Sequence, residues 1–222
     1  MKRNILRLSI LLTLSLLAFA RLTQAADHHD APAAGPDEAL KKLKEGNQRY
    51  AGTKVTAGKH TAERRAETGQ SQHPFAIIIG CADSRTSPEI VFDLNLGDLF
   101  VIRTAGNLVD DYALGSIEYA VEHLGSRLVV VMGHERCGAV KAALGGGKVP
   151  GHINALVRDI QPAVKASKRK EGDVLANAVQ ENAAQVAAKI RKLAKFGEFA
   201  AQVRVITAYY DLDTGVVEWA KD

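Results

Sequence analysis

Aromatic residues are scarce in this chain of 222 residues, where Phe, Trp and Tyr together make up 5%. Ala and Val are frequent instead, which favours an α/β fold over an all-β sandwich. Two cysteines allow at most one disulfide, so a disulfide scaffold is excluded, and a chain of this length buries a sizeable core without cross-links. Internal repeats are absent, and one globular domain is therefore the expectation.

Long apolar runs are missing after residue 20, so no later stretch can span a bilayer. The first residues form a positive Met1-Lys2-Arg3 start, an apolar run from Leu8 to Ala20, and small residues suited to cleavage after Ala25. This pattern predicts a secretory signal peptide over residues 1–25, followed by a flexible leader over 26–36. An uncleaved anchor is disfavoured because the run is short and Arg21 interrupts it. We expect export, to the periplasm if the source is a Gram-negative bacterium.

The chain that remains after removal of the predicted signal peptide carries no formal net charge. Removing residues 1–25 takes away Lys2, Arg3, Arg7 and Arg21, which leaves 25 basic against 25 acidic residues. The sequence pI near 9.0 therefore comes from the signal. A formally neutral chain gives no charge-based reason to expect a nucleic-acid partner.

Strands and helices alternate from Phe75 onward. The predicted strands cover residues 75–80, 99–104, 128–133 and 203–208, with a hairpin return over 216–219. The predicted helices cover 110–123, 139–144, 153–166 and 174–193, with a short one opening at Ser87-Pro88. The alternation indicates an α/β fold, a mostly parallel central sheet of four to five strands flanked by helices.

Residues 37–72 precede this pattern and are predicted to be an N-terminal helical arm. Asp37 is expected to cap a helix, and Ala39, Leu40, Leu43 and Gln48 follow at helical spacing. Residues 53–72 are polar and are read as irregular, with helix formers over 62–67. An arm without its own core is expected to lie on something else, such as a partner subunit. Residues 37–222 are then one domain.

Two short stretches carry the chemistry, and each follows a buried strand. They are Cys81-Ala82-Asp83-Ser84-Arg85 and His134-Glu135-Arg136-Cys137-Gly138. Side chains that leave the carboxyl ends of parallel strands share one edge of the sheet, so we expect the two cysteines and the histidine to meet. Two thiolates and an imidazole suit a tetrahedral zinc with one open position.

Other interpretations of the cysteines are a disulfide, inert buried thiols, or a non-catalytic zinc or redox module. A disulfide leaves the adjacent Asp83, Arg85 and His134 without a role. The histidine also needs an acceptor for its second ring N–H, which the sequence does not identify.

The two stretches resemble the paired signatures of the β-class carbonic anhydrases, and the resemblance covers nearly all of residues 39–219. It implies zinc on Cys81, His134 and Cys137, and a catalytic dyad of Asp83 and Arg85. It also implies substrate contacts from Gln72, Phe100, Tyr119 and Gly138, the first three as in the plant-like branch of the family. Members of the family form homodimers or dimers of dimers, with the pocket at the interface and the arm on the partner.

The implied activity is the reversible hydration of CO₂ to bicarbonate and a proton. Zinc acidifies a bound water to hydroxide, and Asp83, held off the metal by Arg85, accepts the hydroxide proton. Hydrolysis of a CO₂ analogue such as COS or CS₂ is the alternative on the same scaffold, since pocket width cannot be read from a sequence.

Overall fold

Four runs rich in Ile, Val and Leu form the parallel part of a central sheet. The computed structural model describes residues 34–56, 61–147 and 149–220. The strands are β1 (Ala76–Cys81), β2 (Leu99–Thr104), β3 (Leu128–His134), β4 (Arg204–Tyr210) and β5 (Val217–Trp219). Their order is β2-β1-β3-β4-β5; the first four are parallel and β5 runs antiparallel to β4. The predicted α/β class and mostly parallel sheet are confirmed.

Helices cover both faces of this sheet. They are α1 (Pro36–Ala51), α2 (Ala62–Thr68), α3 (Pro88–Val91), α4 (Asp111–Glu122), α5 (Gly138–Gly145), α6 (Ile153–Ser167) and α7 (Val174–Leu193). Short 3₁₀ turns lie at Ala105–Asn107 and Gly197–Phe199. Every residue of β1 and β3 is buried, because these central strands are covered on both sides.

The alternation of side chains along the central strands divides the core into two layers. Ile77 and Val129 face the layer that also contains residues of α4 and α7. Ile78 and Val130 face the opposite layer, which contains residues of α1 and α3. A third cluster lies at the carboxyl end of the sheet and contains both cysteines together with residues of α5, α6 and α7.

The start of α1 corrects one prediction. Asp37 does not cap this helix: Gly35 occupies the N-cap position and Asp37 lies inside the first turn. Pro36 has a φ that is already set for a helix, so the cap and the helix begin two residues earlier than predicted. Asp37 instead accepts a hydrogen bond from Arg204 Nη1 at 2.8 Å.

The buried face of α1 also differs from the prediction near the carboxyl end of the helix. Ala39 and Leu43 are buried as expected, but Gln48 is exposed and Gly46 and Asn47 are buried instead. A Cβ on Gly46 would lie 1.8 Å from the carbonyl oxygen of Phe92, so only glycine permits this close approach of α1 to the end of α3. The helix therefore packs on the sheet of its own chain.

The N-terminal predictions fall largely outside the described residues. The predicted signal peptide lies outside them, as does most of the predicted leader over 26–36. Within the described ranges, no helix has both the length and the apolar character needed to cross a membrane. The contact of residues 37–72 with a partner subunit stays a prediction.

Candidate metal centre

The carboxyl ends of β1 and β3 bring three possible metal ligands together. Cys81 is the last residue of β1, His134 is the last residue of β3, and Cys137 immediately precedes α5. The ligand atoms of these three side chains all lie within 4.8 Å of one another. All three residues are buried and both cysteines are free thiols, so the structure contains no disulfide between them.

His134 is oriented by the main chain that follows it. Its Nδ1 lies 2.9 Å from the carbonyl oxygen of Glu135. A carbonyl can only accept, so Nδ1 carries the proton and donates, and Nε2 presents its lone pair to the cluster. The residue is 1% exposed, and Nε2 has no hydrogen-bond partner among the described residues. A buried nitrogen left free in this way is what a metal ligand requires.

The two thiols share one proton more easily than they lose two. A hydrogen bond from the Cys137 thiol is the largest influence on Cys81 and lowers the pKa of Cys81. The same hydrogen bond, together with burial, raises the pKa of Cys137. The main-chain N–H of Gly106 also donates to Cys81 Sγ at 3.3 Å and favours its thiolate. A second thiolate at this distance calls for a compensating positive charge, such as a divalent cation.

Gly106 can reach Cys81 only because it is a glycine. Its φ of 72° lies in the left-handed region, and a Cβ there would lie 2.9 Å from Ile160 Cδ1 and 3.3 Å from Ala139 Cβ. Gly-Asn is a pair typical of turns, but this pattern does not reveal that the turn donates to a sulfur.

Asp83 lies beside the three ligands and is held by Arg85. The guanidinium donates from Nε to Oδ1 at 2.9 Å and from Nη2 to Oδ2 at 2.7 Å, and the main-chain N–H of Arg85 also donates to Oδ1 at 3.0 Å. These hydrogen bonds from Arg85 hold the pKa of the Asp83 carboxyl well below its usual range. The other oxygen, Oδ2, is 3.9 Å from Nε2 of His134. The site therefore contains an ionised proton acceptor next to its ligand atoms.

This set of donors fits zinc. Two thiolates and one neutral imidazole are ligands that Zn²⁺ prefers, and three protein ligands leave a fourth tetrahedral position for a water or a substrate. The neighbouring carboxylate is already engaged by Arg85. The arrangement is suited to metal-assisted activation of water.

Of the four predicted substrate contacts, Gly138 adjoins this cluster, Phe100 lies away from it, and Gln72 and Tyr119 are exposed in the single chain. Phe100 pairs with Ile77, four residues before the pair of Thr104 with Cys81, so it lies roughly 13 Å along the sheet from Cys81. Tyr119 is 48% exposed on α4, with its ring 5.1 Å from that of His123. Gln72 is exposed between α2 and β1, and Gly138 opens α5 directly after Cys137.

Arg103 contacts the site and was missed by sequence reasoning. It projects from β2 and donates from Nε to the carbonyl oxygen of Cys81 at 2.8 Å and from Nη2 to that of Asp83 at 2.5 Å. Its signal in the sequence is a charged residue near the carboxyl end of an otherwise apolar strand.

A family model described as carbonic anhydrase matches residues 76–217 of this chain. The chain is 40% identical over 195 residues to a carbonic anhydrase from Mycolicibacterium smegmatis, covering 84% of this chain and 94% of that relative.

Solved structures resemble it as well. A β-carbonic anhydrase from Coccomyxa, determined in complex with acetazolamide, is 29% identical with a TM-score of 0.65, and the match covers 81% of this chain and 85% of that one. A tetrameric β-carbonic anhydrase from Sordaria macrospora has the same fold, with a TM-score of 0.66 at 23% identity over 82% of this chain and 97% of that one.

Proposed function

The chain belongs to the β-class carbonic anhydrase family, and we propose that it hydrates CO₂ reversibly with one zinc ion held by Cys81, His134 and Cys137. The observation that carries this proposal is the buried Nε2 of His134, which has no hydrogen-bond partner in the described part of the chain and lies within 4.8 Å of two thiol sulfurs. Zinc bound there would supply a Lewis acid that lowers the pKa of a coordinated water.

Asp83 is the proposed proton acceptor in this reaction. Its Oδ2 borders the space beside the ligand atoms, and its low pKa keeps it ionised and therefore acceptor-only near neutral pH. A hydrogen-bond donor in the space between Oδ2 and the ligand atoms would donate its proton to Oδ2 and be oriented by that hydrogen bond. Arg85 engages both carboxylate oxygens and so restrains the carboxylate from joining the ligand set.

The substrate pocket is proposed to form between subunits. Phe100 lies far along the sheet from Cys81, while Gln72 and Tyr119 are exposed in the single chain. These side chains would therefore line the pocket of a neighbouring subunit. Gln72 would offer its amide to an oxygen of the substrate, and Phe100 and Tyr119 would form apolar walls around CO₂. Gly138, beside Cys137, would leave room for substrate there. We propose a homodimer or a dimer of dimers, in keeping with the tetrameric relative.

Export remains part of the proposal and rests on the first 25 residues alone. Mass spectrometry of the protein secreted or released from the periplasm would test it. A mature N-terminus close to residue 26 is expected, whereas an intact Met1 in the active protein would contradict it.

One set of measurements on the purified protein tests the function. We expect one zinc per chain, two thiols that react with a thiol reagent only after the zinc is chelated, and CO₂ hydration in stopped-flow assays that is lost with the metal. Reactive thiols without zinc or hydration would indicate a thiol module. Faster turnover of COS or CS₂ than of CO₂ would assign the hydrolase alternative.

A further inference from the structure

The position of Asp83 relative to the ligand atoms cannot be set by Arg85 alone. Arg85 follows Asp83 by two residues in the same exposed loop, and both its guanidinium and its main-chain N–H contact Asp83. These contacts fix the carboxylate relative to the loop. They do not fix the loop relative to the sheet, although a shift of that loop would change the 3.9 Å separation between Asp83 Oδ2 and His134 Nε2.

Arg103 contacts this loop from the neighbouring strand. It pairs with Gly80 in the register of β1 and β2, so its side chain starts one residue before Cys81 along the sheet. From there one guanidinium donates to the carbonyl oxygens of both Cys81 and Asp83, at 2.8 and 2.5 Å. The first oxygen belongs to a proposed zinc ligand and the second to the proposed proton acceptor. We propose that Arg103 is a positioning residue that holds these two functional residues at a fixed separation.

The geometry of the guanidinium suits this task. Its two donor nitrogens belong to one rigid plane, so two acceptors bound to it cannot move independently. The Asp83 carbonyl also accepts from Thr86 Oγ1 at 3.0 Å and from the Thr86 N–H at 3.1 Å. Thr86 Oγ1 also lies 3.4 Å from the Cys81 carbonyl oxygen, so Thr86 links the loop to the end of its own strand. Arg103 ties the loop to an adjacent strand.

Loss of Arg103 should therefore let the loop pivot while its internal hydrogen bonds persist. The Ala82 N–H would still donate to the Thr104 carbonyl oxygen at 3.1 Å, which keeps the loop attached to β2 at one point. Asp83 would then be free to approach the ligand atoms and to compete for the open metal position. This inference rests on the proposed function only in assuming that a zinc ion occupies the cluster.

Replacement of Arg103 by Met tests the proposal, since Met keeps an unbranched stem and removes every donor. We expect kcat to fall roughly tenfold to a hundredfold, the range that small misplacements of catalytic groups cause. KM should change little, zinc should remain at one per chain, and zinc release to a chelator should become slower. A merely structural defect would make zinc release faster.

Three further variants complete the experiment. Arg103→Lys keeps the charge but offers one donor atom in place of a fork, and its kcat should lie between those of wild type and Arg103→Met. Arg158→Met removes an exposed arginine on α6 that pairs with Asp159, and it should match wild type in kcat and zinc release. In an Asp83→Asn background, Arg103→Met should no longer slow zinc release, because the competing carboxylate is gone.

The proposal is overturned if Arg103→Met behaves like Arg158→Met, or if it speeds zinc release equally with and without Asp83. Should Arg103→Met fail to fold, Arg103→Lys gives the same readouts, and wild-type values for it would likewise overturn the proposal. A wild-type protein without zinc or hydration would overturn the proposed function itself. Active, zinc-loaded wild type with unaffected Arg103 variants would overturn this inference alone.

Discussion

The two strand exits that build the site are held in different ways. At the end of β3, the Glu135 N–H donates to the Tyr210 carbonyl oxygen at 2.8 Å, and the Glu135 carbonyl oxygen accepts from His134 Nδ1. The N–H of Lys141 then closes the first turn of α5 on the Cys137 carbonyl oxygen at 2.9 Å. Main-chain atoms therefore take part in each of these contacts, which fix two of the three candidate ligands.

The exit of β1 adds charged side chains to its main-chain contacts, one of which runs from the Ala82 N–H to the Thr104 carbonyl oxygen at 3.1 Å. Asp83 is held by Arg85, and the loop carbonyls accept from Arg103 and Thr86. Ala82, Ser84 and Arg85 are exposed, whereas His134 and Cys137 are almost completely buried. On the proposed function, the difference separates two tasks: the β3 exit would supply two of the three metal ligands, and the β1 exit would supply the third ligand, Cys81, together with the groups that handle protons.

Each exit also has an exposed arginine with a two-point contact to an aspartate. Arg136 donates to Asp213 Oδ2 at 2.8 Å and to Oδ1 at 2.6 Å, which joins the β3 exit to the turn after β4. Its side chain is 48% exposed, close to the 51% of Arg85. The two pairs are chemically alike, but only Asp83 lies beside the ligand atoms. They therefore provide matched positions for comparing the exits.

The largest expected effect comes from breaking the metal holder. Cys137→Ser replaces a thiolate by a hydroxyl, which is a much poorer zinc ligand. We expect zinc affinity to fall by more than the roughly 10- to 100-fold that loss of a supporting hydrogen bond causes. Hydration should fall in parallel. Metal analysis after dialysis and stopped-flow assays measure both.

Ala142→Ser is a control in α5, the helix that follows Cys137, because it introduces a hydroxyl without removing a candidate ligand. It should keep one zinc per chain. Full zinc content in Cys137→Ser would mean that the β3 exit is not the holder, and the division between the two exits would be wrong.

A smaller effect is expected when the restraint on Asp83 is removed. Arg85→Ala should lower kcat by about 10²–10⁴-fold, the usual range for a misplaced acid or base, while zinc stays bound. Arg136→Ala removes an equally exposed arginine from the other exit and should cost less than about tenfold, because Asp213 is not next to the ligand atoms. Equal losses in the two variants, or loss of zinc from Arg85→Ala, would contradict the separation of tasks.

Much of this arrangement could be predicted from local sequence patterns. The buried runs before Cys81 and His134 specified parallel strands, and the carboxyl ends of parallel strands meet at one edge. That reasoning was enough to expect the two cysteines and the histidine together, because ligand chemistry depends on residue type.

Contacts that involve main-chain atoms or tertiary packing could not be predicted in this way. The acceptor for His134 is the carbonyl of Glu135, and a carbonyl has no sequence signature. Gly46 is buried because α1 approaches Phe92, which is 46 residues further along the chain. Asp37 was assigned as a cap from its residue type alone, but Pro36 had already begun the helix. The fold decided each case through distant or main-chain partners.

The smallest expected effect is the loss of stability at acid pH. The same two ion pairs, Arg85 with Asp83 and Arg136 with Asp213, provide the comparison. Hydrogen bonds from Arg85 hold the pKa of Asp83 far below its ordinary 3.8, and hydrogen bonds from Arg136 lower the pKa of Asp213 less strongly. Each folded-state pKa is below the unfolded value, so the unfolded chain binds the proton first as pH falls. The stabilisation is therefore present above about pH 4 and is lost as pH falls toward the folded-state pKa.

Urea unfolding of the zinc-free protein at pH 7 and pH 3 measures this loss. Protonation of the Cys81 thiolate occurs in wild type and variant alike, so it cancels in the difference between them. The gap in midpoint between wild type and Arg85→Met should narrow on acidification, because at pH 3 the unfolded wild-type chain binds a proton at Asp83 while the folded chain resists that proton. For Arg136→Met the gap should be smaller at pH 7 and change less, since the Asp213 side chain is 68% exposed and its attraction to Arg136 is weakened by water. A gap that widens toward pH 3 for Arg85→Met would mean that Asp83 is not the acid-sensitive group of the β1 exit.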